Sequence, residues 1–429
     1  MQMHVVQQGD TLFQIADTYL ISIDAIVNAN ELDFPDELVV GQVLVIPIVG
    51  QFYFVQEGDT LSSIAQQFNM NVQELAQINN LPSNFILPIG FRIYIPESTG
   101  SSITSVGYIQ PFGETVSPTL ENAAQKNSPY LTYLALFSYE VNRDGTLSPP
   151  PLGNLKEIAE ANNTAQMMVI TNLEEDGFST ELARIILNVQ AVQNTLLDQI
   201  VNTAETNGYT DIHFDLEYIA PEDRENYNAF LRKAKDRFNQ AGLLLSTALA
   251  PKLSSEQEGL LYEAHDYRAH GEIVDMVVLM TYEWGYTYGP PMAVSPINQV
   301  RQVVEYAVTE IPPEKILLGQ NLYGYNWTLP FVEGGPGATA VSPQRAIEIA
   351  REENAAIQYD EEAQAPFFRY TNSEGVEHEV WFEDARSIQA KFNLIREFNL
   401  LGIAYWKLGL AFPQNWLLLN DQFTITKIT

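Results

Sequence analysis

The stretch "YTDIHFDLEYI" (209–219) carries ionisable side chains at every second position of a segment rich in strand-forming residues. They are Asp211, His213, Asp215 and Glu217. A β-strand projects alternate residues to one face, about 6.6 Å apart, so all four line the same side. Burying them together is costly unless they are paired. The face is therefore either a polar cluster that fixes strand register, or a site in which one shielded carboxyl keeps a proton for acid catalysis of glycosidic cleavage.

The elements around this stretch follow a strand–helix order. Eight near-continuous apolar runs alternate with amphipathic segments such as 179–204, 222–240 and 297–309. The runs are 105–112, 133–141, 165–173, 211–219, 243–251, 274–284, 315–327 and 402–410. Strands buried on both faces and joined by helices predict an α/β fold, the (β/α)8 TIM barrel. Active sites of such barrels lie at the carboxyl ends of the strands. We therefore expect Glu217 at the mouth, Asp215 one layer below, and His213 and Asp211 deeper.

Two regions interrupt this order. The interval of about 328–385, between the seventh and eighth strands, has a Gly-rich stretch, a helical stretch near 343–353 and a hairpin pattern that turns at 373–375. It predicts a small α+β insertion on the catalytic face. The stretch "PESTGSSITS" (96–105) has the composition of a linker. We therefore divide the chain into 1–49, 50–98 and a catalytic domain over 99–429.

The amino-terminal part contains two copies of one pattern. "VVQQGDTLFQIADTY" begins at Val5 and "FVQEGDTLSSIAQQF" begins at Phe54, a constant offset of 49 residues that continues to the "IP" pairs at 46–47 and 95–96. Each copy predicts a strand, a Gly-Asp turn, two helices and a closing strand, a small βααβ domain. Asp10 and Asp59, or the threonine after each, are suitable helix N-caps.

The composition excludes several classes of partner and chemistry. Lys+Arg 22 against Asp+Glu 54 gives a net charge of −32, so nucleic acid and anionic membrane surfaces repel the chain. Binding of a wall glycan must then depend on short-range hydrogen bonds and aromatic contacts. The absence of cysteine excludes disulfides, thiol catalysis and cysteine-ligated metals. The start "MQMHVVQQGD" lacks an export-signal pattern, and no apolar run reaches the length of a membrane span.

Four of the runs carry motifs that resemble glycoside hydrolase family 18, the chitinase-like barrels. The strand ending at Glu217 is similar to the family's D-G-x-D-x-D-x-E, and "MTYEW" to its M-x-Y-D/N, which aligns Tyr282 with the family tyrosine. "GQNLYG" (319–324) resembles G-x-P-x-Y-G with Asn321 in place of proline, and "GIAYWKLG" aligns Trp406 with the tryptophan under the reacting sugar. The match extends over about 104–420.

The resemblance implies substrate-assisted hydrolysis with no metal and no organic cofactor. Glu217 would be the acid, Asp215 would orient the substrate's 2-acetamido group, and Tyr282 would donate to its oxygen. His213 and Asp211 depart from the family pattern, which has a carboxylate and a glycine there. His213 is therefore expected either to tune the acidity of Asp215 through a direct hydrogen bond or to be a satisfied core histidine.

Further aromatic and polar residues lie at or beyond predicted strand ends, or in the insertion. They are candidate sugar contacts, with ordinary packing as the alternative: Trp284, Tyr323, Gln320, Tyr139, Asn172, Trp381 and Asp384.

The repeated amino-terminal pattern, G-D-T-L…I-A…N-x-L, resembles the LysM domain over residues 3–97. The resemblance implies a shallow groove for N-acetylglucosamine glycans, and two copies on one chain raise retention. The matching positions are Gly9, Asp10, Thr11, Asn30 and Leu32 in the first copy, and Gly58, Asp59, Thr60, Asn79 and Leu81 in the second. A tandem module that is only structural or binds protein is the alternative.

Tandem LysM domains before a family 18 barrel resemble the spore cortical-fragment-lytic N-acetylglucosaminidases. We therefore expect a monomeric hydrolase of peptidoglycan or another N-acetylglucosamine glycan, associated with the spore or cell wall. A chitinase or endo-N-acetylglucosaminidase is the first alternative, and a non-catalytic lectin on the same barrel is the second.

Overall fold

A computed structural model describes residues 1–48, 50–68, 70, 72–79, 81–82, 86–95, 100–175 and 177–428. The chain forms two compact units, Met1–Ser101 with Pro413–Phe423, and Ser102–Phe412 with Thr424–Thr429. The segment 413–423 thus groups with the amino-terminal residues, whereas the sequence analysis assigned all of 99–429 to one domain.

The larger unit contains, in the described part of the chain, a closed ring of eight parallel strands. The first strand pairs in parallel with both the second and the last, which closes the barrel. The predicted (β/α)8 fold is therefore confirmed. The barrel strands are Ser101–Ile109, Tyr133–Val141, Ala165–Thr171, Asp211–Asp215, Leu244–Leu249, Met276–Leu279, Ile316–Asn321 and Gly402–Trp406.

Helices cover the outside of the ring. The predicted amphipathic segment 179–204 is two helices that meet at Val189. Short strands Leu147–Ser148, Leu173–Glu174 and Gly177–Phe178 and 3-10 turns Ser128–Tyr130, Pro221–Asp223 and Pro313–Lys315 complete the connections. The helices are Pro118–Asn127, Leu155–Ala161, Thr180–Asn188, Gln190–Asn207, Arg224–Gln240, Tyr267–Ile273, Ile297–Glu310 and Ala385–Glu397.

The fourth barrel strand places its two kinds of side chain on opposite faces. Phe214 points outward, where its ring centroid lies 5.3 Å from that of Phe230 and 6.2 Å from that of Phe238 on the covering helix. Its polar neighbours therefore point into the barrel, because successive side chains on a strand alternate. Asp211 and His213 are fully buried there and Asp215 is 7% exposed.

The insertion forms the predicted α+β element. A five-stranded antiparallel sheet comes from Gly324–Thr328, Thr339–Val341, Gln358–Asp360, Ala365–Thr371 and Glu377–Trp381. Helix Pro343–Glu352 follows the second of these strands. The predicted hairpin joins the last two strands, and Gly375 adopts the positive φ of 78° that its turn requires.

The predicted linker needs correction. Residues 96–99 lie outside the described residues, but 101–105 are the start of the first barrel strand. Thr104 and Ser105 pair with Gly402 and Ile403 of the last strand, so backbone pairing overrides the Ser-rich composition. Within the described residues, the helices are all too short or too polar to cross a membrane.

The smaller unit contains two βααβ modules, as the repeat predicts. The first has strands Gln2–Val5 and Val43–Ile46 with helices Leu12–Tyr19 and Ile23–Asn30. The second has strands Gln51–Phe54 and Arg92–Ile95 with helices Leu61–Gln67 and Val72–Ile78. Helix Pro413–Gln422 belongs to the same unit and contacts the second helix of the first module, and the short strand Phe423–Ile425 follows it.

Candidate active site

Asp215 and Glu217 lie at the carboxyl end of the fourth barrel strand. Burial raises the pKa of both carboxyls, and the negative charge of Asp215 raises the pKa of Glu217 further, well above its ordinary value. Asp215 Oδ1 is buried and has no hydrogen-bond partner among the described residues. A carboxyl that keeps its proton thus lies beside a carboxyl oxygen that can accept a new hydrogen bond.

A hydrogen-bonded chain runs beneath these carboxyls. The Tyr108 hydroxyl is 2.9 Å from His213 Nε2, His213 Nδ1 is 2.8 Å from Ser246 Oγ, and Ser246 Oγ donates to Asp211 Oδ1 at 2.6 Å. Burial lowers the pKa of His213 to about 3 and raises that of Asp211 to about 7. The neutral imidazole therefore donates from Nδ1 and accepts at Nε2. The predicted direct hydrogen bond from His213 to Asp215 is wrong, because both ring nitrogens bond elsewhere.

Tyr282 follows the sixth barrel strand and faces the two carboxyls. Burial, then the charges of Asp215 and Glu217, raise the pKa of its hydroxyl, so it is a donor at neutral pH. Gly319 on the seventh strand permits this placement. A Cβ there would lie 2.2 Å from Leu279 O and 3.0 Å from Tyr282 Cε1. The first distance is a steric clash, so any residue with a side chain would displace its neighbours.

Trp406 ends the eighth strand and forms one wall. Its ring is held edge-on by Phe137 and Tyr108, with centroid separations of 4.7 and 5.6 Å. An aromatic ring held in this way offers a flat apolar surface to a sugar.

One cavity of about 790 Å³ is lined by Asp215, Glu217, Tyr282 and Trp406 together. Its volume suits a short oligosaccharide segment. Its walls come from loops after most barrel strands and from the insertion. They include Phe137, Phe178, Asp215, Glu217, Tyr218, Tyr262, Tyr282, Glu283, Trp284, Tyr286, Tyr323, Tyr325, Trp406 and Lys407.

Glu283 adds a third carboxylate to the cavity. Tyr323 and Tyr325 both donate their hydroxyls to Glu283 Oε1, the second at 3.0 Å. Burial raises the pKa of Glu283, while the two hydrogen bonds lower it. Tyr323 follows the seventh barrel strand and Tyr325 lies in Gly324–Thr328, the first strand of the insertion sheet, so the connection from barrel to insertion positions this acid.

Two buried side chains hold the backbone of the candidate acid and of the residue before it. Asn172 Nδ2 donates to Glu217 O at 2.9 Å, and Glu217 N donates to Asn172 Oδ1 at 3.0 Å. His265 Nδ1 accepts from Ala250 N at 2.8 Å, so Nε2 carries the proton and donates to Leu216 O at 3.0 Å. Together they fix the direction in which Glu217 leaves its strand.

The Gly-Asp-Thr turns of the small modules are built alike. Thr11 and Thr60 are the N-caps of their helices, each in a capping box. Asp10 accepts from Gln7 N at 2.8 Å, and Asp59 accepts from Gln56 N at 2.7 Å. The sequence had left Asp or Thr open as the cap, and the structure assigns it to Thr because Asp closes the preceding turn.

The model of the glycosyl hydrolases family 18 matches residues 104–411. The chain belongs to glycosyl hydrolase family 18. The LysM domain model matches residues 4–47 and 53–96, so two LysM domains precede the family 18 barrel.

Two curated relatives match over essentially their whole length. The cortical fragment-lytic enzyme of Bacillus subtilis strain 168 is 62% identical over 429 residues, 100% of both chains. That of Bacillus anthracis is 51% identical over 427 residues, 99% of both chains. The crystal structure of the spore cortex-lytic enzyme SleL of Bacillus megaterium QM B1551 has a TM-score of 0.93 at 52% identity, and covers 100% of this chain and 99% of that one.

The family 18 cleft contains only some of the predicted sugar contacts. Trp406, Trp284 and Tyr323 line it. Asn172 is buried against the backbone of Glu217, and Gln320 is buried with Nε2 bonded to Asn321. Neither side chain lines the cleft, and Gln320 Oε1 has no hydrogen-bond partner among the described residues, so their role as sugar contacts stays a prediction.

Three further predicted contacts pack away from the cleft. The Tyr139 hydroxyl bonds that of Tyr209 at 2.9 Å. Trp381 stacks on Phe367 with centroids 4.5 Å apart. Asp384 caps helix Ala385–Glu397 through Arg386 N and Ser387 N. None of the three lines the cleft, so direct sugar contact by them stays a prediction.

The LysM positions also divide into two groups. Gly9, Asp10, Thr11 and their counterparts Gly58, Asp59 and Thr60 lie in accessible turns. Leu32 and Leu81 are partly buried against their module cores.

The two LysM asparagines hold the fold of their modules. Asn30 is 2% exposed and bonds Ile26 O, Val45 O and Val45 N. Asn79 bonds Leu75 O, Tyr94 O and Tyr94 N in the same way. Their side-chain groups are used within the modules, and a glycan contact at these two positions stays a prediction.

Sequence reasoning missed three residues around the family 18 site: Tyr108, Ser246 and His265. Tyr108 and Ser246 face the barrel interior on apolar strands, and nothing local marks them as polar partners. Glu283, beside Tyr282 in "MTYEW", stands where an amide or acid is usual in the family, but the sequence analysis assigned it no role.

Proposed function

We propose that this protein is an N-acetylglucosaminidase that cleaves peptidoglycan fragments of the spore cortex, with retention of configuration and participation of the substrate. The observation that carries the proposal is the buried, unpartnered Asp215 Oδ1 beside the proton-holding Glu217. Full-length relatives named for lysis of cortical fragments support the substrate class.

In the proposed reaction Glu217 donates its proton to the glycosidic oxygen as the bond to C1 breaks. The substrate's 2-acetamido carbonyl oxygen attacks C1 and forms a cyclic oxazolinium ion, the pattern of this family. Asp215 accepts a hydrogen bond from the acetamide N–H and stabilises the positive charge that develops on it. Tyr282 donates to the acetamide oxygen and aligns it with C1.

The second half restores the enzyme. Glu217, now ionised, takes a proton from water, the water oxygen bonds to C1, and the acetamide is released. The Trp406 face supports the reacting sugar. The two LysM domains bind the glycan chain at separate sites and raise the local concentration of scissile bonds. A location on the spore or cell wall follows from this substrate.

The test compares wild type with Glu217→Gln on purified cortex fragments and on chitin oligomers, with products read by mass spectrometry. Glu217→Gln keeps the side-chain shape but has no acidic proton. We expect reducing-end N-acetylglucosamine from cortex fragments with wild type, and a loss of at least about 10²-fold with the variant.

The other outcomes identify the alternatives. Cleavage of chitin oligomers without cleavage of cortex fragments would make the protein a chitinase. Binding of both without any product would make it a lectin, and wild-type rates in Glu217→Gln would remove Glu217 from the mechanism.

A further inference from the structure

Lys407 is a basic residue in a cavity whose charged lining is otherwise acidic. Among the described residues that line it, Asp215, Glu217 and Glu283 are acidic and Lys407 is the only cation. Strand order places Lys407, which follows the eighth strand, across the barrel from Glu217, which follows the fourth. Its charge therefore lies at the far side of the cleft from the acid.

The ammonium group of Lys407 is held in place without a carboxylate. Nζ donates to Gln110 Oε1 at 2.5 Å, and lies 4.9 Å from the ring centroid of Phe112 and 5.6 Å from that of Trp406. None of the described carboxylates lies within ion-pair distance of Nζ. Neutral partners orient the charge but leave it uncompensated.

Neutral partners are common among the described lysines of this protein, since Lys233 Nζ also bonds only amide oxygens, but Lys407 is the one described lysine that lines the cavity. Most of its arginines pair with nearby carboxylates, as Arg301 does with Glu397 at 2.6 Å. Burial lowers the pKa of Lys407 because it disfavours the charged ammonium. A bound anion would stabilise that charge. Phe112, which is 69% exposed, extends the aromatic surface next to it.

We propose that Lys407, held by Gln110 and Phe112, binds a carboxylate of the muramyl residue next to the reacting sugar and so selects peptidoglycan over chitin. This inference rests on the proposed function. A muramyl sugar whose lactyl group is not closed into a lactam ends in a carboxylate or continues into a peptide with its own carboxylates, whereas chitin carries neither. The overall negative charge of the protein gives such a substrate no long-range attraction, so one local cation decides the preference at short range.

The experiment measures kcat and KM for wild type, Lys407→Met and Lys407→Arg on three soluble substrates. They are cortex oligosaccharides with peptides, the same oligosaccharides after removal of the peptides to leave the lactyl carboxylate, and chitin oligomers of equal length. Methionine keeps an apolar stem without charge, and arginine restores the charge. Lys233→Met is the matched control, because Lys233 Nζ also bonds only amide oxygens, of Gln193 and Asn194, on an outer helix.

We expect Lys407→Met to lower the ratio of kcat/KM for muramyl substrates to kcat/KM for chitin oligomers about five-fold, through KM, as for one partly exposed ion pair. Lys407→Arg restores most of the ratio, and Lys233→Met leaves it unchanged. Added salt reduces the difference in this ratio between wild type and Lys407→Met. Loss on both muramyl substrates assigns the lactyl carboxylate, and loss only on peptide-bearing ones assigns a peptide carboxylate.

An equal loss on chitin oligomers, or no loss on any substrate, would overturn the inference. If wild type itself cleaves chitin oligomers but no muramyl substrate, the proposed function fails instead, so the two failures are distinguishable.

Discussion

Asp215 influences its neighbour Glu217 through charge as well as position. Its negative charge raises the pKa of Glu217 beyond the effect of burial, so replacing it with a neutral amide of the same shape lowers that pKa. Glu217 then loses its proton at lower pH, and the alkaline limb of the kcat/KM profile of Asp215→Asn moves to lower pH.

Residual hydrolysis by Asp215→Asn, followed by mass spectrometry across the pH range, measures this shift. Asp198→Asn is the control, because Asp198 is exposed and paired with Arg237 on the outer helices. A limb of Asp215→Asn that stays in place, or moves to higher pH, contradicts the assigned interaction.

His213 has a different part in the site. With a pKa of about 3 it is neutral in the folded protein across the pH range in which a glycosidase works. Its titration therefore does not affect the alkaline limb of the kcat/KM profile. His213→Ala leaves the buried Tyr108 hydroxyl without its acceptor and Ser246 Oγ without its donor, and we expect a loss of about 2 kcal/mol or more in the free energy of unfolding. Urea unfolding with a parallel pH–rate profile tests both statements.

The pH dependence of this stability loss has a definite sign. Below the ordinary pKa of 6.5 the unfolded chain protonates His213 while the folded one does not until about pH 3. As pH falls from 6.5 towards 3, wild type therefore loses the stabilisation that neutral His213 gives to the folded state. The difference in free energy of unfolding between wild type and His213→Ala then narrows. A stability difference between the two proteins that widens as pH falls from 6.5 towards 3 would contradict the lowered pKa of His213.

At the scale of elements, the carboxyl end of the fourth strand is oriented by its two flanking connections. Asn172 reaches it from the segment after the third strand and His265 from the segment after the fifth. Asn172 is a positioning residue, because two of its three side-chain hydrogen bonds are to the backbone of Glu217, and the third, from Nδ2, is to Ser179 O.

Asn172→Ala should therefore lower kcat about ten-fold or more with little change in KM, since a shift of about 1 Å in an acid is enough for such a loss. Steady-state kinetics on soluble fragments, normalised to folded protein by circular dichroism, give the separate effects on kcat and on KM. Asn207→Ala, at a helix end with one bond to Thr203 O, is the control. If kcat per folded molecule stays at the wild-type value, Asn172 is only structural.

At the scale of the whole molecule, the carboxy-terminal segment completes the amino-terminal unit. Gln414 Nε2 donates to Asn30 Oδ1 at 2.9 Å and to Val43 O at 2.7 Å. Both acceptors belong to the first LysM domain, so the stability of that domain depends on residues near the other end of the chain.

Gln414→Ala should destabilise the first LysM domain by about 1–2 kcal/mol, because two buried acceptors lose a donor. Faster hydrogen exchange at Val43–Ile46 would be the signature, with kcat on soluble fragments unchanged. Gln302→Ala, which removes one exposed bond to Asn298 O, is the control. Unchanged exchange at Val43–Ile46 would mean that the segment packs there without stabilising it.

The amino-acid sequence by itself determined the barrel, the two amino-terminal modules, the insertion and the principal acid. These depend on patterns that are local in the chain: apolar runs of strand length, polar residues at a period of two, and a repeat at constant spacing. Asp215 and Glu217 were predicted at the barrel mouth because they lie towards the carboxyl end of a strand, and strand ends meet at one face of a barrel. Tyr282 and Trp406 were assigned through their resemblance to family 18 motifs.

Only the tertiary structure decided which side chains meet. Tyr108 and His213 are 105 residues apart, and Gln414 and Asn30 are 384 apart. Barrel closure, not local periodicity, sets the contact between the first pair. The same limit explains why Asn172, Tyr139 and Asp384 were assigned to the cleft. A residue's position at a strand end is local information, but the direction of its side chain depends on which donors and acceptors the neighbouring elements bring within reach.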